Sequence, residues 1–165
     1  MAPLSLYDIG VTPLIRTLNA LSAILKKAET HANDKSIPHS ELLEARLAPD
    51  MAALPFQIQT VSNTAKFISV RIAGAENVPM EDKEETFGEL QARITKTIEF
   101  LNAVKREDFD GKEDVEVSMR DYRFTGVGYL TTFALPNFYF HATTAYGILR
   151  MKGVDIGKLD FMGKQ

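Results

Sequence analysis

Apolar residues recur along the chain at alternating steps of three and four in several separate stretches. In the first, Leu14, Leu18, Leu21, Leu25 and Ala28 fall on one side of a helix, with Pro13 in its opening turn. The stripe fades at "HANDKSIPHS", where Asn33, Asp34, Ser36 and Pro38 favour a loop, so His31 and His39 read as solvated loop residues. "SELLEARL" leaves room for only a short helix before Pro49. A second stripe runs through Met51, Leu54, Ile58, Val61, Ala65, Ile68 and Ile72 to Gly74, with Asp50 as its predicted N-terminal cap. "AENVPMEDKEE" then reads as a polar linker whose acids, Glu81, Asp82, Glu84 and Glu85, repel one another and stay in water. Thr86, with Glu89 three residues on, forms the capping pattern that opens a third helix through Phe87, Leu90, Ile94, Thr97, Leu101 and Val104.

The period then changes from helical to two. Val115, Val117 and Met119 alternate, as do Tyr122 and Phe124, around Arg120 and Asp121, which predicts a small hairpin with a turn that lacks glycine. A last helix is predicted from about Val127 to Met151, passing through Pro136, where a missing backbone donor should kink it, and stopping at Gly153. Four long amphipathic helices bury their stripes most simply against one another. The expected fold is therefore all-α, an antiparallel four-helix bundle with a short β-hairpin before the last helix, built as one domain over residues 1–165.

The last helix carries the chemistry of interest. Its seam reads Leu130, Ala134, Asn137, His141, Thr144 and Ile148, so three consecutive seam positions are polar. Facing inward, an amide and an imidazole need partners, because leaving either unpaired costs about 1–3 kcal/mol. Gln57, Thr60, Asn63 and Thr64 lie beside the seam of the second long helix, and Gln57 is the best placed to reach in; Tyr139 and Tyr146 offer hydroxyls from the flanks. These groups are either satisfied core residues or the wall of a ligand site made of Gln57, Asn137, His141, Thr144 and Tyr146. In the second case His141 is the one general acid or base suited to neutral pH, but no nucleophile, orienting carboxylate or cofactor motif accompanies it, and no reaction class follows.

Composition narrows the choices further. The net charge of −3 comes from 19 basic and 22 acidic residues without a basic block, so no nucleic-acid partner is expected. No apolar run approaches the ~20 residues of a membrane span, and "MAPLSLYDIG" lacks the pattern of a secretory signal, which places the protein in the cytoplasm. The absence of cysteine removes disulfides, thiolates and cysteine metal sites together.

The stretches "SLYDIGVTPLIRTLNALSAILKKAETHA", "ARLAPDM", "AKFISVRIAG", "ETFGELQARITKTIEFL" and "FALPNFYFHATTAYGILR" resemble a bacterial family of uncharacterised function within the DinB-like superfamily. The resemblance implies an up-down-down-up bundle, often dimeric, so a homodimer is expected. Many DinB-like proteins hold a divalent metal with one histidine from the second helix and two from the last as His-x-x-x-His, with a basic residue nine positions later. Here His141 and Arg150 match the second histidine and the basic residue, Asn137 stands where the first histidine would be, and residues 51–74 contain no histidine. Neutral amides bind zinc, nickel or iron weakly, so no metal or other cofactor is expected. The reading that results is a small-molecule-binding bundle with a degenerate metal site. The alternatives are a noncatalytic structural or interaction module and a metal-dependent enzyme with altered ligands.

Overall fold

The computed structural model describes residues 4–163, so the outermost residues of the predicted 1–165 domain lie outside the described part. The chain is mostly helical, with one two-stranded antiparallel hairpin. It opens with α1 (Leu6–Gly10), capped reciprocally by Ser5 and Asp8. Five residues are too few to display a helical period, which is why α1 is invisible to pattern reading although its Ser-x-x-Asp cap is in the sequence. α2 (Thr12–Asp34) has Pro13 in its first turn and runs a turn beyond the predicted stripe. Ala32 continues the buried line from Ala28, and His31 is half-buried in the last helical turn rather than in a loop. α3 (His39–Leu43) follows, and His39 meets Asn33 at 2.9 Å and the ring of Phe87 edge-on.

The second long helix, α4 (Leu54–Ile72), starts four residues later than its predicted cap. Asp50 is exposed in the preceding turn and Met51 lies outside the helix; Ala53 is the N-cap, without a side-chain hydrogen bond. Pro55 decides the start, because its fixed φ and missing N–H suit the first helical turn and no later position. At the other end Gly74 takes φ +74°, the left-handed conformation that closes a helix, as its position predicted. α5 (Phe87–Ala103) begins at the predicted capping box of Thr86 and Glu89.

The hairpin pairs β1 (Val117–Met119) with β2 (Tyr122–Phe124) in the register Val117 to Phe124 and Met119 to Tyr122. Arg120 turns the chain with φ +53° in place of the usual glycine. The last helical run then passes through three forms: α6 (Gly126–Gly128), a π-helical stretch Tyr129–Ala134, and α7 (Leu135–Met151). The wide π turn ends two residues before Pro136 and accommodates its ring where a kink was expected, because i to i+5 spacing relieves the clash with the preceding turn. Gly126 is required where the run begins: a Cβ there would sit 2.1 Å from the carbonyl oxygen of Lys112. A short α8 (Lys158–Phe161) ends the described chain and packs on α2.

The four long helices pack α2 on α5, α5 on α4, α4 on α7 and α7 on α2, around a continuous apolar core that includes Leu18, Leu25, Ile58, Ala65, Leu90, Leu101, Phe138 and Ile148. Aromatic rings close one end, where Phe124 of the hairpin lies against Tyr129 and Phe133, and Arg71 of α4 donates to the buried Tyr129 hydroxyl at 2.8 Å. No described helix is long and apolar enough to cross a membrane.

Candidate functional site

The most extensive helix contact, α4 on α7, carries the predicted polar seam. Gln57 and Thr64 are seven residues apart on α4, which is two turns and so the same face; Asn137 and His141 are one turn apart on α7. The helices run in opposite senses, so Gln57 meets His141 and Thr64 meets Asn137. The amide nitrogen of Gln57 donates to the carbonyl of Ala52 at 2.8 Å, which turns its amide oxygen toward His141 Nδ1 at 2.7 Å. That oxygen can only accept, so His141 carries its proton on Nδ1 and presents a lone pair on Nε2. Among the described residues Nε2 has no hydrogen-bond partner. Burial pushes the imidazole below its ordinary pKa of 6.5, so the ring is neutral near pH 7.

The second pair is closed. Asn137 Nδ2 donates to the Thr64 hydroxyl at 2.8 Å. Thr144 is buried, and its hydroxyl donates to the carbonyl of Phe140 at 2.7 Å, within its own helix. Tyr146 lies on another side of α7, with its ring edge-on to Phe161. Of the five residues predicted as a ligand site, the structure joins Gln57 to His141 and places Asn137 one turn away; Thr144 and Tyr146 make no hydrogen bond or ring contact to the other three among the described residues.

Two aromatic residues flank His141. Phe56 and Phe140 meet the imidazole edge-on, at 5.8 and 5.2 Å between ring centres, and both are about half exposed, at 49% and 57%. Phe56 also forms part of the wall of a groove of about 950 Å³, which lies between α3, the start of α4 and residues 84–86 and does not include His141. Their positions follow from the sequence once the pairing is known: each sits one residue before a seam residue, Gln57 or His141.

A second polar cluster was misread from the sequence. Two acids of the linker, the largely buried Glu84 and the exposed Asp82, are organised, because Arg93 of α5 is buried and needs counter-charges. Its guanidinium pairs with Asp82 and with Glu84, each at 2.7 Å, and donates to the Asn63 amide oxygen at 2.9 Å. Gln59 donates to Glu84 and Asn63 to Asp82. The clue was Arg93 itself, one position before the seam residue Ile94 on a flank that burial reaches. Glu81, Asp82 and Glu85 are exposed, as predicted.

Among the described residues no group of three histidine, cysteine or carboxylate side chains could hold a metal ion. The donors beside His141 do not fit one either: the Gln57 oxygen accepts from the imidazole, and Asn137 offers only a neutral amide oxygen. One imidazole nitrogen with two amides is a poor set for zinc, nickel or iron.

The family described as "Domain of unknown function (DUF1993)" matches residues 6–162. The chain belongs to it. This DUF1993 chain is also similar to the crystal structure of a DinB family member from Shewanella denitrificans, at 36% sequence identity and a TM-score of 0.91, over 97% of this chain and 93% of that one. None of the curated proteins compared matches it. The DinB-like resemblance of the sequence thus holds across the whole helical framework that carries the Gln57–His141 pair.

Proposed function

We propose that this DUF1993 chain binds a small molecule at His141 and carries no metal there. One observation supports the reading most directly: a half-buried, neutral imidazole held in one tautomer by Gln57, with Nε2 left as an unpaired acceptor between two half-exposed phenylalanines. Such a group accepts a hydrogen bond from a donor whose apolar body rests on Phe56 and Phe140. The ligand class is therefore a small, flat or apolar molecule with one N–H or O–H donor. The closed Asn137–Thr64 pair supports the competing reading of a structural module at the other end of the seam.

Fragment screening by NMR on protein with labelled histidine tests the proposal. Binders should move the His141 Nε2 resonance and lose affinity by about fivefold or more in His141→Ala and Phe56→Ala, since one hydrogen bond and one aromatic face are each worth about 1 kcal/mol or more. Fragments that bind elsewhere while none shifts that resonance would overturn it. Elemental analysis of untagged protein should find no stoichiometric transition metal; about one zinc, nickel or iron per chain, lost in His141→Ala, would restore the metal reading.

We also infer a single domain with the up-down-down-up helix order. The segment between α4 and α5 meets α4 successively at Lys66, Asn63 and Gln59, so it travels back along that helix and lets α5 start beside the start of α4. That supports two consecutive long helices pointing the same way.

A further inference from the structure

We propose that residues 76–85 form a hinged lid over a polar cleft between α4 and α5, held shut by the two carboxylates on Arg93. Three independent features of this segment lead there. It contributes no side chain to the apolar core. Among the described residues, none of its backbone groups joins a backbone–backbone hydrogen bond. Its attachment is instead a short series of polar anchors from the helices: Lys66 Nζ to the Val78 carbonyl at 2.8 Å, Arg93 to the Glu81 carbonyl at 3.1 Å, and the pairs of Asp82 and Glu84 with Arg93, Asn63 and Gln59.

The ends of the segment are built to stay put while it moves. Gly74 in the left-handed conformation closes α4 before it, and the Thr86–Glu89 box opens α5 after it, so release of the anchors dismantles neither helix end. Segments with few apolar contacts and no backbone ladder open at a lower free energy than the whole fold.

What the lid covers is unusual for a helix interface. Ser62 and Thr97 share a hydrogen bond of 2.7 Å beneath Met80, whose sulfur lies 3.7 Å from the Ser62 hydroxyl. Lys66 is 2% exposed, and Arg93 Nε is buried without a partner. This interface exposes an amine, two hydroxyls and a guanidinium when the lid lifts, and the loss of Asp82 and Glu84 leaves the cleft cationic.

Because the chain has no cysteine, single cysteines report the opening. Ser62→Cys lies under the lid, whereas Ala65→Cys lies one turn away in the main core. In native buffer a thiol reagent should label Ser62→Cys at least about a hundredfold faster than Ala65→Cys, because only the first becomes accessible without global unfolding. Adding Asp82→Asn and Glu84→Gln should raise the Ser62→Cys rate by a further factor of about ten or more, with the Ala65→Cys rate still far slower in the same background. Equal rates at the two positions, with equal denaturant dependence, would overturn the lid. A fast Ser62→Cys rate unchanged by loss of the two carboxylates would overturn the Arg93 latch. Should Ser62→Cys fold poorly, Thr97→Cys reports on the same cleft from α5 and is read in the same way.

Discussion

At the residue scale, the polar seam consists of two separate pairs rather than one connected network. His141→Ala leaves the Gln57 oxygen without its donor, and Asn137→Ala leaves the Thr64 hydroxyl without its partner. Each should lower the unfolding free energy by at least about 1 kcal/mol in denaturant titrations. Since the pairs share no atom, the double variant should equal the sum of the singles within about 0.5 kcal/mol. Burial also lowers the His141 pKa in the folded state, so the unfolded chain takes up the proton first as pH falls. Stability is then intact above about pH 6.5, the unfolded value, and declines as pH falls from there through the depressed folded value. The pH slope of the unfolding midpoint in that window should flatten in His141→Gln. That Asn137 and His141 face inward was legible in their spacing, and so was the choice of Gln57. Which nitrogen stays free was not, because it depends on the Ala52 carbonyl, a backbone group whose position no side-chain pattern encodes.

At the element scale, helix bodies were legible and their junctions less so. Apolar stripes report which face a helix buries, but where it starts depends on one or two residues whose backbone preferences compete. Asp50 is a good cap by type, yet Pro55 fits only a first turn and wins. Pro136 shows the same limit: sequence locates the break in regular α-helix but not its form, since the π turn depends on how Tyr129 and Phe133 pack against the hairpin. The junction at Gly126 is the most demanding, with the Lys112 carbonyl lying where a Cβ would go and Val127 N–H donating to the Glu113 carbonyl beside it. Gly126→Ala should therefore destabilise the protein by about 2 kcal/mol or more, within the usual range for forced overpacking. Thermal unfolding followed by circular dichroism measures it, and a loss below about 0.5 kcal/mol would mean that the loop yields freely.

At the scale of the whole molecule, the surface around His141 is more apolar than binding of a small ligand requires. Phe56 and Phe140 are both about half exposed there, and Leu47, also about half exposed, approaches α7 further along at Gly147. A homodimer is the expected solution state, and light scattering on untagged protein should give twice the chain mass in the micromolar range. A monomer mass throughout that range, with Phe140→Ser no more soluble than the parent, would count against it. The charge cluster at Arg93 illustrates what whole-molecule context adds. Its two carboxylates come from a segment that, read alone, looks like a solvated acid run, and only the fold brings the guanidinium beneath them.

α4 is sheathed on every side: the core takes Ile58, Ala65 and Ile68, α7 takes Gln57 and Thr64, and the 76–85 segment covers Ser62 and Lys66. Between Leu54 and Ile72 only Phe56 is classed as exposed. Lifting the 76–85 segment wets one side of this helix but leaves its backbone ladder clamped between the core and α7. In deuterium its central amides should be among the last in the protein to exchange, at rates set by rupture of the entire fold, while those of α3 and the hairpin exchange through cheaper local excursions.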